Sequence, residues 1–375
     1  MNDRHRMTRS LLRKALLAML PGTVLGGTAE ARGACDGVLT PYPGITIPAD
    51  TRIADRRFGG ISGVDFDHRG KRLVYISDER MSADAAVAFL SSKISTTAAP
   101  TAPTAPSATP STALVPVTVR PLQGVSSQDG IDFEALRIEP RSNEWWIASE
   151  GGAESTTTAW IGRFDRRRQL ISRIVLPAPL DAAPQNRSIE SLAFDAQGRL
   201  WVALENALTD DGPQGNRDRG AELRIFRLRI ADPRSAVSNV VARAEESLLY
   251  RTEPAEVGEA GDSDIGISEI LRVEDTWWVI ERAGLAGKDG RYRFRSRLFC
   301  AEKDPASAGR LRKTLLLDSA QLIDSAQPLD PLEANFEAMT IIPRDGLPPL
   351  LVIVNDNNFA PGVATRVLLW EINRP

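Results

Sequence analysis

The chain of 375 residues carries 46 basic and 49 acidic side chains for a formal charge of −3, so nothing in its balance argues for a nucleic-acid partner. Two histidines and two cysteines are too few for a multi-histidine or multi-cysteine zinc centre. No G-x-S-x-G elbow, phosphate-binding glycine loop or dinucleotide fingerprint occurs.

Residues 1–31 read as a secretory leader. Arg4, Arg6, Arg9, Arg13 and Lys14 precede the apolar run Ala15 to Leu20, and Ala29-Glu30-Ala31 supplies a small-residue cleavage site. The run is too short to span a bilayer and is broken by Pro21-Gly22, so no stable membrane insertion is expected after cleavage. Removal of five basic and two acidic groups takes the formal charge from −3 to −6. The expected location is the periplasm or the cell exterior. In such an oxidising compartment Cys35 and Cys300 either bridge or remain two separate thiols. The leader takes His5 with it, and His68 then stands alone in a predicted turn. That excludes His-dependent serine and cysteine triads and histidine phosphatase chemistry.

Residues 32–375 are long enough for one large domain. Ile45 to Ile53 is the first strand-like run, and five hairpins follow it. The clearest is 130–152, GIDFEALRIEPRSNEWWIASEGG: a strand from Glu134 to Ile138, a turn over Pro140–Asn143, and a strand from Glu144 to Ser149. The pattern recurs at 61–80 (ISGVDFDHRGKRLVYISDER), 187–206 (RSIESLAFDAQGRLWVALEN), 266–282 (GISEILRVEDTWWVIER) and 336–358 (FEAMTIIPRDGLPPLLVIVNDNN). Two further strand-like runs follow each of the first four hairpins; only Arg366 to Ile372 follows the fifth. Four strands per repeat, with Ile45 to Ile53 closing the last unit, describe an all-β fold, a β-propeller. Five four-stranded blades are counted, and six stays open. Residues 91–113, SSKISTTAAPTAPTAPSATPSTA, form a low-complexity insert in the first repeat that is expected to be disordered.

Antiparallel pairing brings the start of the first strand beside the end of the second, so each hairpin sets two terminal residues side by side. Those residues are Ser62 with Asp78, Glu134 with Glu150, Glu190 with Glu205, Glu269 with Glu281, and Glu337 with Asp356. In a propeller they converge on one mouth of the central channel. Crowded carboxylates repel unless a cation or water lies between them. An all-oxygen set without histidine or cysteine suits a hard ion, calcium above all. The expected ligands are Asp78, Glu134, Glu150, Glu190, Glu205, Glu269, Glu281, Glu337 and Asp356, joined by Asn355. Arg80 and Arg282 directly follow terminal acids and offer forks for phosphate oxygens. A carboxylate, Glu190 or Glu269, would serve as general base.

The combination of DFEAL, SIESLAF, GISEIL and NFEAM with SDER, SEGG, IER and NDNN resembles the esterase-like phytase domain family of bacterial secreted proteins, over roughly Phe58 to Trp370. The resemblance implies a propeller acting on phosphoesters, with a distant analogy to calcium-dependent phytases whose acidic mouth holds several calcium ions around a phosphate. Ser62 departs from the repeated Glu. The expectation is a secreted, calcium-dependent phosphoesterase, a monomer acting on a small-molecule substrate. Lactone hydrolysis on a similar propeller and a non-enzymatic binding propeller are the alternatives.

Overall fold

A computed structural model describes residues 35–79, 86–96, 111–125, 131–151, 158–183, 187–231, 239–255, 263–322 and 328–373. The leader at 1–31, Arg80 and the centre of the predicted insert (97–110) lie outside them. The near end of the insert is ordered: Ile94 is buried, and the Ser91 hydroxyl accepts from the Leu73 amide at 3.0 Å.

After β1 (Val38–Ile47) and a small ribbon of β2 (Arg52–Ile53) with β3 (Arg56–Arg57), the strands fall into fours. Blade I is β4 (Ile61–Asp67), β5 (Arg72–Ser77), β6 (Val87–Ser91) and β7 (Pro116–Pro121). Blade II is β8 (Phe133–Ile138), β9 (Trp145–Ser149), β10 (Trp160–Phe164) and β11 (Leu170–Val175). Blade III is β12 (Ile189–Phe194), β13 (Leu200–Leu204), β14 (Glu222–Ile230) and β15 (Asn239–Arg251). Blade IV is β16 (Ser263–Val273), β17 (Thr276–Ala286), β18 (Tyr292–Lys303) and β19 (Leu311–Asp318). Blade V takes β20 (Phe336–Ile342), β21 (Leu350–Asn355) and β22 (Thr365–Asn373) from the end of the chain and β1 from its start. The outer strands of blades II and III also join, Arg173–Val175 running parallel to Asn239–Val241.

The innermost strands touch in cyclic order, β4 to β8, β12, β16, β20 and back to β4. Five apolar clusters fill the spaces between consecutive blades. One example joins Ile76 and Ala88 of blade I to Phe133 and Ile147 of blade II, and another joins Val64 and Phe89 of blade I to Val352 and Leu369 of blade V. Because each sheet is covered on both faces, β9 (WWIAS), β13 (LWVAL) and β21 (LLVIVN) are buried along their whole length instead of alternating. The architecture is an all-β propeller.

The N-terminal strand differs from its predicted span. β1 begins at Val38 and ends at Ile47, pairing Val38 with Asn373 and Ile47 with Thr365. Pro41 and Pro43 sit on this outermost strand, where a missing amide is tolerated. Beyond Ile47 the chain turns, with the Thr51 amide bonding the Pro48 carbonyl at 3.0 Å, and Arg52–Ile53 folds onto Arg56–Arg57 instead. Cys35, just ahead of β1, forms a disulfide with Cys300 on β18, 265 residues away.

Candidate metal and active site

All five inner hairpins share one register device. The regular pairs just before the shift are Ile61 with Ser77, Phe133 with Ser149, Ile189 with Leu204, Ile267 with Glu281, and Phe336 with Asn355; in blade IV alone the ladder runs on past this pair, to Ser263 with Leu285. The next residue on each first strand is an extra one, a β-bulge that re-aims its side chain. Those residues are Ser62, Glu134, Glu190, Ser268 and Glu337. Opposite them, one step past the paired residue of the second strand, stand Asp78, Glu150, Glu205, Arg282 and Asp356. The amides of Asp78, Glu150, Glu205 and Asp356 bond the carbonyls of Gly60, Asp132, Ser188 and Asn335 at 2.8–2.9 Å. Gly60, Asp132, Ser188, Gly266 and Asn335 thus form a third equivalent set.

This frame corrects three expected ligands. Glu269 follows the bulge residue Ser268, and a slip of one residue turns a side chain to the other face. It is fully buried, 2.9 Å from Nη2 of Arg137, and accepts from the amides of Ile270 (2.9 Å) and Met339 (3.4 Å). Burial pushes its carboxyl up to about 8 against the pull of Arg137 and these amides. Its side chain is therefore held by Arg137 and these amides and not set on the bulge among the ring acids. Glu281 sits one residue before the mouth position and packs between blades III and IV. There it meets the Tyr250 hydroxyl at 2.7 Å, the Glu253 amide at 2.8 Å and the Lys313 ammonium. Asn355 occupies the same paired position in blade V and spends its side chain on the Ala364 carbonyl and the Arg366 amide.

The remaining acids converge. Glu134 is held well above the usual carboxylate range by burial, then by Glu190, Asp132, Glu150 and Asp78. Glu190 is raised by burial, then by Glu205 and Glu150, and Asp356 by burial, then by Glu337 and Asp78. Burial also raises Glu205 and Glu337, with Arg282 opposing in both cases. Asp132, which the hairpin reading passed over, completes the tightest group: its carboxylate oxygen and those of Glu134 and Glu150 lie within 4.8 Å of one another, all three residues buried. The Glu150 carboxylate also accepts from the Ser188 amide, tying blade II to blade III. The only sequence signal for Asp132 was position, two residues before the bulge acid, matching Ser188 and Asn335.

Arg282 lies inside the ring. Nη2 is 2.7 Å from Glu205 Oε1, and Nη1 bonds Glu337 Oε1 and lies 3.4 Å from Asn335 Oδ1. Burial alone would lower the pKa of the guanidinium; Glu337 and Glu205 outweigh it and keep the group charged. Both of its amino groups are therefore engaged by carboxylates, which is not the open fork expected for phosphate.

Two further features shape the mouth. Gly60 has φ +57°, and a Cβ there would lie 2.2 Å from Asp78 Oδ1 and 2.4 Å from the Phe359 ring, so only glycine fits. Asn358 and Phe359 also have positive φ (49° and 50°), held by bonds from their amides to Asp356 Oδ1 (2.7 Å) and Asn357 Oδ1 (3.1 Å). Below the ring the channel is plugged. Arg137 reaches from blade II to the carbonyls of Val64 in blade I (3.3 Å) and Ile270 in blade IV (2.8 Å), besides Glu269. Thr340 and Ile138 meet there on Asp65, at 2.6 and 2.7 Å. The mouth is a cup with a polar floor.

The donor set fits a hard divalent cation. It offers carboxylates and amides without nitrogen or sulfur ligands. The Asn206 side chain beside Glu205 is 2% exposed, and neither of its polar atoms has a partner among the described residues. A cavity of about 400 Å³, lined by Tyr292, Phe294, Leu332, Asn357, Asn358 and Pro361 among others, lies at the mouth end between blades IV and V. No helix among the described residues is long and apolar enough to cross a membrane.

The sequence model of the phytase-like family, described as esterase-like activity of phytase, matches residues 56–359. No curated protein matches the chain at a significant level. Among solved structures it is similar to a PQQ-bound aldose sugar dehydrogenase from Streptomyces coelicolor. That likeness has 15% identity and a TM-score of 0.41, covering 89% of this chain and 100% of that one. It is also similar to the catalytic domain of a GH62 α-L-arabinofuranosidase from Coprinopsis cinerea, with 10% identity and a TM-score of 0.42, covering 88% and 97%. A third is an exo-1,5-α-L-arabinanase from a bovine ruminal metagenomic library, with 9% identity and a TM-score of 0.42, covering 85% and 99%. Likeness at this level carries no argument about activity.

Proposed function

The chain belongs to the phytase-like family, and from that premise we propose that it is a secreted hydrolase of phosphoesters whose acidic mouth works with a bound divalent cation, calcium. The observation that supports this most is the convergence of Asp132, Glu134 and Glu150, with oxygens within 4.8 Å, inside a larger ring of buried acids. When bound, calcium supplies charge neutralisation to phosphoryl oxygens and makes a water easier to deprotonate. Asp132, Glu134 and Glu150 would hold it, with Asp78 and Asp356 flanking.

Glu190 is the general base. It sits on a bulge between Glu150 and Glu205, and burial, then those neighbours, raise its proton affinity. The Arg137–Glu269 plug closes the channel floor, so substrate enters and leaves by the mouth. The cavity beside Asn357 and Asn358 gives room for the organic half of the ester. The disulfide between Cys35 and Cys300 supports an oxidising destination.

The test is turnover by the purified protein of p-nitrophenyl phosphate, bis(p-nitrophenyl) phosphate and a lactone, in calcium and in EDTA. Calcium-dependent turnover of a phosphoester supports the reading. Turnover of the lactone alone overturns it, as does absence of turnover by a protein that retains calcium.

A further inference from the structure

Blade IV breaks the acidic pattern twice. At the bulge position blades II, III and V carry Glu134, Glu190 and Glu337, and blade IV carries Ser268. At the mouth position blades I, II, III and V carry Asp78, Glu150, Glu205 and Asp356, and blade IV carries Arg282. Ser268 turns its hydroxyl to the Phe336 carbonyl at 2.7 Å, just as Ser62 bonds the Phe133 carbonyl. Each serine therefore ties its blade to the strand that presents the next bulge acid.

Arg282 does something different. Its guanidinium lies between an acid of the preceding blade, Glu205, and one of the following blade, Glu337, with the Asn335 oxygen beside them. The group is four-fifths buried (side chain 20% exposed) and stands where two carboxylates from different sheets would otherwise repel. This is the place of a bridging cation, filled from the chain itself. Without the guanidinium, Glu205, Glu337 and Asn335 make an oxygen set of the kind calcium takes at roughly 2.3–2.6 Å. Asn206, the next residue in the chain after Glu205, is a buried amide that has no partner among the described residues.

We infer that Arg282 is a resident cation filling a second divalent-ion site between blades III and V, so that the exogenous ion is confined to the blade II side of the mouth. The inference rests on the cation-binding reading of the ring, but its test is a difference between proteins and so stands apart from it. A guanidinium is permanently charged and cannot dissociate. The blade III–V half therefore keeps a counter-charge when calcium is scarce, and the Asp132–Glu134–Glu150 half depends on supply.

The experiment counts calcium per chain, by isothermal titration and by elemental analysis after gel filtration, for wild type, Arg282→Gln and Arg282→Lys. Arg282→Gln should bind one more calcium than wild type, and Arg282→Lys the same number as wild type. Equal counts for wild type and Arg282→Gln would overturn the inference, whatever the wild-type number. A wild type that binds none would defeat the cation-dependent function, while a gain of one in Arg282→Gln would still uphold the role of Arg282. If Arg282→Gln fails to fold, it is refolded in saturating calcium beside Arg282→Gln/Glu337→Gln. Recovery of the single variant by calcium supports the inference. Folding of the double variant alone overturns it, because calcium would then be unable to take the place of the guanidinium.

Discussion

Replacing Arg137 with methionine tests whether the channel floor is structural. Arg137 is 3% exposed and Glu269 fully buried, and the guanidinium also binds the carbonyls of Val64, Leu136 and Ile270. Arg137→Met strands a buried acid without its counter-ion and removes the bonds to three buried carbonyls, which together cost ~3–5 kcal/mol. With an unfolding entropy of about 2.1 cal/mol/K per residue, a domain of this length would melt roughly 4–7 °C lower. The pH dependence follows from the raised carboxyl. Glu269 has a folded-state pKa of about 8, above its unfolded value, so the folded protein keeps a proton that the unfolded chain gives up. Stability from this group is fully present below the unfolded value and falls as pH rises towards about 8. The penalty of Arg137→Met should therefore be larger at pH 8 than at pH 6. Glu269→Gln keeps an acceptor for the Ile270 amide and should lose only ~1–3 kcal/mol, with its response to calcium intact. Calorimetry at the two pH values, with and without calcium, reads all of these. Wild-type stability in Arg137→Met, or loss of the calcium response in Glu269→Gln at unchanged stability, would refute the assignment of this pair to the floor.

Two other outcomes follow from the same structure. The Cys35–Cys300 bridge closes a loop of 265 residues; by chain entropy, Cys35→Ser/Cys300→Ser should lose on the order of 5 kcal/mol, read as a lower denaturation midpoint that dithiothreitol no longer shifts. In EDTA the acids Glu134, Glu190 and Asp356 have folded-state proton affinities raised by burial and by neighbouring carboxylates. The calcium-free protein should accordingly be more stable at pH 5 than at pH 8, and a melting series that rises with pH would contradict this.

The repeated acids were legible because the hairpins share one period and one pattern of terminal residues. The frame in blade IV was not. GISEIL aligns on its glutamate with DFEAL by eye, yet the strand pairs through Ile267, which places Ser268 and not Glu269 on the bulge. A bulge adds one residue to one strand without leaving a mark in composition, and that single residue reverses inside and outside. The same offset explains Glu281 and Asn355, each one residue short of the mouth. Arg137 could not have been assigned from its neighbours in the chain, because its partner Ile270 is 133 residues away across the channel. The closing strand shows a milder case: Pro41 and Pro43 make Val38–Ile47 look unlike a strand, and only its place at an outer edge makes them harmless.

The central claim, that the ring of acids is a cation site, is tested most directly by melting the calcium-stripped wild-type protein in EDTA and again in calcium, with Glu134→Gln alongside. An ion at 100 times its dissociation constant stabilises the folded state by about 2.7 kcal/mol. Wild type should therefore melt several degrees higher in calcium, and Glu134→Gln should lose most of that gain while matching or exceeding wild type in EDTA, where one fewer carboxylate repels its neighbours. Superimposable wild-type curves in calcium and EDTA would contradict the account.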